Sequence, residues 1–389
     1  MARVDYECIV LGVGGVGSAT LSHLARRGVS CLGVDRFPPG HDRGSSHGET
    51  RVIRTAYHEH PDYVPLLRRS HALWAALERD SGEALYRETG VLEIGPTDGE
   101  VVPGVLEAAR THDLKVDEWT GAEVEARFPG FQVPSGHVGV FERQGGVLAV
   151  EACVRAHAAQ AVQGGAELWT DAEAHGWRVE GPEVVVMTDR GEVRTEKLII
   201  TAGAWAPRLL HFLQIPLQVV RKVLLWHRAE EGAYCPEKGS PVFLYERPDG
   251  VFYGFPALQD GVVKVAEHSG GDPVHDPLKL DRELRTGDVG RVASFLEACL
   301  PQVDPREVVA SAVCMYTLSA DGHFVVGSSP CTPRVAFAAG LSGHGFKFTP
   351  ALGEALAEWA TKGRSGASLE VFSPTRPGVL VGQRPTDPG

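Results

Sequence analysis

The amino-acid sequence predicts a mixed α/β (α+β) protein in which a discontinuous Rossmann-like domain carries a second, strand-rich antiparallel domain. A GxGxxG turn between an apolar strand and a helix lies near the start of the chain. Strand-like runs dominate its middle, and glycine-rich α/β character returns near its end. Because a single hydrophobic core stops growing near ~250–300 residues, the length of 389 residues also indicates two domains.

The first elements are a strand, a turn, a helix and a second strand. ECIVLG is a short apolar strand, GVGGVG is the turn, and SATLSHLARRG has helical periodicity. Gly12 permits the tight turn, Gly14 lets the backbone approach a pyrophosphate, and Gly17 lets the helix pack against the strand. Asp35 ends the next strand, VSCLGVD, and would accept a hydrogen bond from a ribose hydroxyl. This segment predicts a bound dinucleotide without separating NAD from FAD.

The rest of the chain alternates between α/β segments and strand-rich segments. Helical patterns occupy about 61–80 and 350–362, the second with Thr349 as its N-cap and Gly363 just past its end. Short strands and turns alternate over 90–150, a β/α region follows to 205, and antiparallel strands fill 215–320. The expected domains are a cofactor domain of residues 1–85, 150–215 and 320–389, and a substrate domain of residues 86–149 and 216–319.

Composition excludes several classes of protein. The net charge of −12 makes nucleic-acid binding improbable, because the phosphate backbone is also negative. Seven cysteines without CxxC spacing indicate neither a disulfide framework nor a zinc site, so we expect a cytoplasmic, reduced protein. Asp5 and Glu7 precede the first apolar run, which argues against a signal peptide, and no apolar stretch reaches the ~18 residues of a membrane span. His58-Glu59-His60 lacks a third ligand cluster, so no metal site is expected.

Basic residues gather in two segments of this acidic chain. In HGETRVIR, Arg51 and Arg54 are three residues apart and would share a face of a helical turn, where guanidinium groups bind carboxylates; two solvated arginines are the alternative. GLSGHGFKFTP places Lys347 before a helix N-terminus, among glycines that allow close approach of a flat ligand. A solvated lysine on a glycine-rich turn is the alternative there.

Two strands and a cysteine complete the candidates. In GVVKVAEH, Lys264 and His268 project from one face of a strand, although an edge-strand lysine would show the same pattern. A hairpin through Asp260-Gly261 would bring Tyr253 near Lys264. Taken alone, the cysteine of AVCMYT is best explained as a small buried side chain.

The motifs together resemble one family. GVGGVG, PPGHDRGSSHGETRVIRTAY, RKVLLWH, FYGFP, VVKVAEHSGG, CMYT and GLSGHGFKF occur in this order. They resemble the monomeric sarcosine oxidase / N-methyl-tryptophan oxidase family, which includes sarcosine/pipecolate oxidases, from about Tyr6 to Phe372. The resemblance implies an FAD domain of the glutathione-reductase type, and therefore FAD rather than NAD.

The family's functional residues can be placed on matching positions. Cys314 matches the cysteine that binds FAD through a thioether, which reverses its interpretation as a merely buried side chain. Lys264 matches a lysine beside the flavin that promotes reaction with O2, since a fixed positive charge stabilises the developing superoxide. Leu244 stands where a pocket residue varies among relatives, which leaves substrate size open. The resemblance further implies the catalytic residues Arg51, His268 and Tyr316, the substrate-binding residues Arg54, Lys347 and Tyr253, and the cofactor-binding residues Ser46, His47, Thr50, Gly343, Gly345 and Lys347.

The implied reaction is oxidation of an N-methyl amino acid. The amine becomes an imine, water hydrolyses the imine to formaldehyde and a primary amino acid, and O2 is reduced to hydrogen peroxide. Sarcosine is the leading substrate, and bulkier N-methyl or cyclic amino acids such as N-methyl-tryptophan or pipecolate are the alternative. A flavin dehydrogenase with a partner acceptor, or an NAD-dependent dehydrogenase, would be a different class. We expect a monomer whose partners are a small secondary amino acid and O2.

Overall fold

The computed structural model describes residues 4–259, 261–329, 331–377 and 379. The helices are α1 Gly15–Ala25, α2 Val64–Ser81, α3 Val101–His112, α4 Gly121–Arg127, α5 Val150–Gln163, α6 Ala206–Leu209, α7 Thr286–Cys299 and α8 Thr349–Lys362. The strands are β1 Tyr6–Leu11, β2 Cys31–Val34, β3 Thr50–Ile53, β4 Tyr86–Glu88, β5 Val91–Pro96, β6 Asp117–Thr120, β7 His137–Glu142, β8 Gly146–Ala149, β9 Glu167–Trp169, β10 Ala174–Glu180, β11 Glu183–Thr188, β12 Gly191–Ile200, β13 Gln218–Ala229, β14 Val242–Arg247, β15 Gly250–Gln259, β16 Val262–Glu267, β17 Asp272–Pro273, β18 Val303–Leu318, β19 Val325–Ser328 and β20 Val335–Ala339.

The first sheet has a parallel centre, as the βαβ pattern at the start of the chain predicts. Its order is β10-β11-β12-β1-β2-β9, with β20 beside β12 and β19 beside β20. β1 pairs in parallel with β2 and β12, so the GVGGVG turn leaves the carboxyl end of a central strand. Helix α1 packs against α5 and α8. A side-chain carbon on Gly353 would lie 2.7 Å from Ala19 Cβ, so glycine allows the close approach of α8 to α1.

The second sheet is mostly antiparallel, as predicted for residues 215–320. Its order is β17-β13-β16-β15-β14-β5-β7-β6, with β18 also paired to β13. The pair of β14 and β5 is parallel. A small third sheet, β3-β8-β4, is antiparallel.

Three helices were not predicted from the sequence. Residues 90–150 contain α3 and α4 besides their strands, and residues 215–320 contain α7. Pro103 and Gly104 suggest a turn, but proline is tolerated in the first turn of a helix. A side-chain carbon on Gly104 would lie 2.4 Å from His58 O, so the glycine lets α3 approach that loop. The capping box of Thr120 and Glu123 was a signal for α4 in the sequence.

The strands divide between the predicted domain ranges in a simple way. Every strand of the first sheet falls within 1–85, 150–215 or 320–389, and every strand of the second within 86–149 or 216–319. The third sheet combines both ranges through β3, β4 and β8. The domain boundaries themselves stay a prediction. No helix in the described part of the chain is long and apolar enough to cross a membrane.

Candidate active site

Two cavities meet near the carboxyl end of the parallel strands. The larger is a long cleft with about 1380 Å³ of empty space, part of it open to solvent, and the smaller pocket has about 650 Å³. The two share four wall residues, Arg51, Tyr316, Gly343 and Phe346. A ligand in the cleft therefore contacts the pocket at this shared wall.

The glycine-rich turn forms one end of the cleft. A side-chain carbon on Gly17 would lie 1.8 Å from Gly12 O, and one on Gly12 would lie 2.7 Å from Thr201 O. Gly12 also has φ +89°, a conformation that glycine adopts without strain. Gly14 instead faces the open cleft, where the nearest atom to an added carbon is Ser46 Oγ at 3.7 Å.

Two polar side chains support this turn. The backbone N–H of Gly15 donates to Ser46 Oγ at 3.2 Å. The Asp35 carboxylate accepts from Val13 N (2.6 Å) and Phe37 N (2.9 Å). Burial raises the pKa of Asp35, and these backbone donors act against that shift. Both residues line the cleft, where the sequence placed the cofactor.

Lys264 lies buried beside the loop that leads into β3. Its Nζ donates to Gly48 O (2.5 Å), Thr50 Oγ1 (2.9 Å) and Thr50 O (3.1 Å). Burial lowers the pKa of Lys264 well below its ordinary value, and the positive charge of Arg51 acts in the same direction. Thr50 therefore reaches the site through Lys264 rather than by lining the cleft.

Cys314 lies behind the shared wall. Its Sγ is 3.5 Å from Ser45 O and 3.7 Å from Arg51 Nη2. Arg51 also donates to Thr50 O (2.8 Å) and Ser45 O (2.9 Å), which fixes its guanidinium at the cleft. All seven cysteines are free.

An aromatic cluster forms one side of the pocket. The Tyr316 hydroxyl lies 3.5 Å from both Tyr253 Oη and His268 Nδ1. Burial lowers the pKa of His268 to about 3, so this imidazole is neutral at neutral pH. Burial also raises the pKa of Tyr316 well above its ordinary value. Leu244, on β14, adds an apolar wall.

Arg54 lies at the opposite end of the pocket, between two carboxylates. Its Nε is 3.1 Å from Glu93 Oε1, and its Nη2 donates to Glu59 Oε2 at 3.0 Å. His58 Nδ1 lies 2.9 Å from the same Nη2. Burial alone would lower the pKa of Arg54, but Glu93 and Glu59 hold it above its ordinary value.

Lys347 completes this polar end. Its Nζ donates to His344 O (2.9 Å) and contacts Tyr57 Oη (3.4 Å), whose hydroxyl lies 2.6 Å from His344 Nδ1. Burial, with the charge of Arg54, lowers the pKa of Lys347 to about 7. Burial also lowers the pKa of His344 to about 4.

Most predicted site residues are brought together, and five of them do not line either cavity. The residues that line the cleft or the pocket are Gly12, Gly14, Asp35, Ser46, Arg51, Arg54, Leu244, Tyr253, His268, Tyr316, Gly343, Gly345 and Lys347. Lys264, Thr50 and Cys314 reach the shared wall through Arg51 or its loop. His47 is buried with Nε2 unpaired, and burial lowers its pKa to about 3. Gly17 acts through the turn.

Two local expectations were wrong, and one was confirmed. Arg51 lies on strand β3 rather than on a helical turn with Arg54, although both line the pocket. The predicted pairing of β15 with β16 is confirmed: Tyr253 lies opposite Ala266, two residues from Lys264 on the same face of β16, and Phe255 lies directly opposite Lys264. Asp260, in the predicted hairpin turn, lies outside the described residues. The N-cap of α8 is Phe348, and Thr349 is the first helical residue because the preceding short helix runs directly into α8.

The sequence reasoning also missed residues of the site. Glu59 and His58 were considered only as metal ligands, and the described residues contain no metal-binding cluster. Glu93 was not singled out, although an acid inside the apolar strand VLEIG was a signal of a buried charge. Lys222, on β13, was missed as well: its Nζ donates to the carbonyls of His268 (3.0 Å) and Ser269 (2.7 Å) and so holds the end of β16.

The cleft suits a dinucleotide by its shape and its donors. Gly12 and Gly17 leave no room for side chains, and Gly14 exposes backbone at the N-terminus of α1, where an anion is favoured. At the far end, a side-chain carbon on Gly343 would lie 2.3 Å from the Tyr316 ring. The narrow wall between cleft and pocket thus depends on glycine.

Comparison with known proteins gives close relatives along nearly the whole chain. The family model described as "DAO: FAD dependent oxidoreductase" matches residues 7–359. Monomeric sarcosine oxidase of Arthrobacter sp. (strain TE1826) is 38% identical over 382 residues, which cover 97% of this chain and 98% of that protein. N-methyl-L-tryptophan oxidase of Yersinia pestis (strain Pestoides F) is 36% identical over 375 residues, with 96% and 100% covered.

Solved structures share the fold at lower identity. The Tyr→Phe mutant of NikD, an amino acid oxidase of nikkomycin biosynthesis, superposes with a TM-score of 0.86 at 23% identity and covers 98% of this chain and 100% of its own. Glycine oxidase from Geobacillus kaustophilus gives a TM-score of 0.79 at 21% identity, with 95% and 98% covered. The family match and the relatives of more than one-third identity decide the assignment: this chain belongs to the DAO family of FAD-dependent oxidoreductases.

Proposed function

We propose that this protein is an FAD-dependent oxidase of N-methyl amino acids, with sarcosine as the leading substrate. Sarcosine, O2 and water would give glycine, formaldehyde and hydrogen peroxide. One observation carries the proposal: a small pocket with Arg54 and Lys347 at its polar end shares a wall with the dinucleotide cleft. The relatives named above are oxidases of this class.

The cofactor would lie along the cleft. When bound, FAD takes up two electrons from the substrate and passes them to O2. Gly12, Gly14 and Asp35 would hold its nucleotide part, and Arg51, Tyr316 and Gly343 would bound its ring. We propose a covalent thioether at Cys314, supported by the contact of its Sγ with Arg51 at the cleft wall.

The pocket residues would orient the substrate through its carboxylate. Nη1 of Arg54 forms no hydrogen bond within the described residues, which leaves it available to a carboxylate, and Lys347 faces the same space. The positive charges of Arg51 and Lys347 disfavour an ammonium group, so the bound amine would lose its proton. Tyr316, Tyr253 and His268 would enclose the N-methyl group, with His268 uncharged.

Lys264 would assist the reaction with O2. A fixed positive charge stabilises the anion that forms when oxygen gains an electron. Three carbonyl and hydroxyl oxygens accept from its Nζ and favour the charged form, which opposes the lowering of its pKa by burial and by Arg51. This role distinguishes an oxidase from a flavin dehydrogenase that uses a partner acceptor.

A bulkier substrate is the second candidate. The pocket walls include Leu244, Phe243, Val91 and Val242, which form a wide apolar side. N-methyl-L-tryptophan or pipecolate would use that side. We further propose a monomer in the cytoplasm, from the cysteine usage of the chain and the naming of its relatives.

A substrate panel tests the function. Sarcosine, N-methyl-L-tryptophan and pipecolate are each supplied in air, and hydrogen peroxide is measured. Peroxide with sarcosine is expected, and none with any of the three would reject the proposal. The covalent link is tested separately by acid precipitation: wild-type protein should give a yellow pellet, and Cys314→Ala should release its flavin to the supernatant. A colourless wild-type pellet would show that the flavin is not covalently bound, and a yellow pellet from Cys314→Ala would place the link at another residue.

A further inference from the structure

The polar end of the pocket carries nearly balanced charges. Three cations line the pocket, Arg51, Arg54 and Lys347, and Glu59 is the carboxylate among them. Glu93 lies directly behind Arg54, with its side chain only 2% exposed. With both carboxylates counted, the excess at this pocket is one positive charge when Lys347 is protonated.

Two of the three histidines that line the pocket, His268 and His344, do not change this balance. The pKa values of His268 and His344 are lowered to about 3 and about 4, so both are neutral at neutral pH. The third, His58, contacts Arg54 Nη2 through Nδ1 at 2.9 Å. The same Nδ1 lies 3.4 Å from Glu93 Oε1.

The hydrogen-bond donors of the cations are also largely committed. Arg51 donates to Thr50 O and Ser45 O. Nη2 of Arg54 donates to Glu59, and its buried Nε forms an ion pair with Glu93 at 3.1 Å without a hydrogen bond, which leaves Nη1 for a ligand. Lys347 gives two of its three N–H groups to His344 O and Tyr57 Oη. The free donors on Arg54 and Lys347 together match one carboxylate.

The register of the second sheet fixes the position of Glu93. It lies on β5, opposite Leu244 of β14, and cross-strand partners share a face of the sheet. Leu244 lines the pocket, so Glu93 approaches Arg54 from the sheet side. A buried carboxylate fixed in this way is a permanent counter-ion, because leaving it unpaired would be costly.

We propose that Glu93 is a specificity-determining residue that limits the pocket to substrates with one carboxylate and excludes N-methyl amino acids with a second anionic group. This inference rests on the proposed function and deepens it. Removal of the charge at Glu93 would raise the excess to two positive charges. A second carboxylate would then be tolerated.

The expected effect is measurable as a ratio of affinities. Acetate and succinate serve as probes with one and two carboxylates, and their binding is followed by the change in the visible spectrum of the flavin in the holoenzyme. Wild-type protein should bind the two within about threefold of each other. Glu93→Gln keeps the shape of the side chain and an acceptor oxygen. In this variant the ratio of succinate affinity to acetate affinity should be about tenfold higher than in wild type, which corresponds to ~1.4 kcal/mol. A unit charge supplies this much within about 10 Å at an effective dielectric constant of ~20.

Glu142 provides a matched control. It is a buried carboxylate on β7, next to β5, and accepts from Thr55 N and Ala56 N without lining the pocket. Glu142→Gln should leave the succinate-to-acetate ratio unchanged. If Glu142→Gln raised the succinate-to-acetate ratio as much as Glu93→Gln, the effect would be one of general charge, and the assignment to Glu93 would be overturned.

Two further results would overturn the inference. One is a Glu93→Gln protein with the wild-type ratio. The other is a wild-type enzyme that already binds succinate tenfold more tightly than acetate, and this measurement needs no variant to fold. The ratio of kcat/KM for sarcosine to kcat/KM for N-methyl-L-aspartate tests the same inference independently, and it should fall in Glu93→Gln. Absence of peroxide with every N-methyl amino acid would reject the proposed function, whereas the anion-binding ratio would still decide the role of Glu93.

Discussion

Gly17 and Gly14 should respond in opposite ways to the same substitution. In Gly17→Ala the new carbon would lie 1.8 Å from Gly12 O, whereas real contacts of this kind stay beyond 3.0 Å. Helix α1 must therefore move by at least 1.2 Å relative to the turn. In Gly14→Ala the nearest atom is 3.7 Å away and the new methyl group enters the cleft instead.

The magnitudes follow from these distances. A clash with backbone that cannot rotate away should reach the upper end of overpacking costs, about 3 kcal/mol. For a chain of 389 residues, with an unfolding entropy of ~2.1 cal/mol/K per residue, this lowers the unfolding midpoint by ~4 °C. Gly14 has φ −74°, which suits alanine, and ψ −151°, which lies just beyond the usual β range, so Gly14→Ala should change the stability of the protein without FAD by no more than about 1 kcal/mol. Its FAD content should nevertheless fall.

Two measurements test this pair. Thermal unfolding reports stability, and the ratio of flavin to protein absorbance reports cofactor content. A Gly17→Ala protein with the wild-type midpoint would refute the clash argument. A Gly14→Ala protein with full flavin content would show that the cofactor does not approach the turn at this position.

Three further predictions concern the pocket. Lys264→Met should slow reoxidation in air by about 100-fold after anaerobic reduction, with the reduction rate within about twofold of wild type; slow reduction with normal reoxidation would contradict the role of Lys264. Acetate should bind less tightly as pH rises through about 7, because Lys347 loses its proton there, and Lys347→Met should abolish this dependence; an unchanged inflection in that variant would assign it to another group. Leu244→Ala should raise kcat/KM for N-methyl-L-tryptophan relative to sarcosine by about tenfold, whereas Val105→Ala, in the same apolar cluster but outside the pocket lining, should lower stability without changing the ratio.

The fold was predictable from the sequence where a local sequence pattern is compatible with only one backbone structure. The GVGGVG turn between an apolar strand and a helix has one such solution, and Gly12, Gly14 and Gly17 each take the place expected of them. Helices α3 and α7 were not predictable in this way, because their glycines suggest breaks. In α3, Gly104 is set by contact with His58 O, a tertiary contact that local propensity does not contain.

The site was predictable through family resemblance more than through periodicity. Strand alternation placed Lys264 and His268 on one face, yet Lys264 reaches the loop of Thr50 and His268 reaches Tyr316. Which residue meets which depends on the packing of β3 against the second sheet. Spacing alone also placed Arg51 and Arg54 on a helix, whereas β3 carries Arg51 and Arg54 follows it.

Glu93 connects the fold to the selection of substrate. Strand β5 lies between β14 and β7, which cover its two edges. Its first five residues are all buried, so both of its faces are covered as well. An acid at such a position needs a cation. The pairing of β5 with β14 places Glu93 opposite Leu244, and there its Oε1 lies 3.1 Å from Arg54 Nε. The charge that balances Arg54 thus comes from the sheet core, and a substrate carboxylate can compete with Glu59 at the pocket wall but not with Glu93 behind it. Loss of Glu93 should therefore change the number of substrate carboxylates that the pocket accepts and leave the accepted substrate size unchanged. Substrate size is governed by Leu244, which projects from the same face of the sheet.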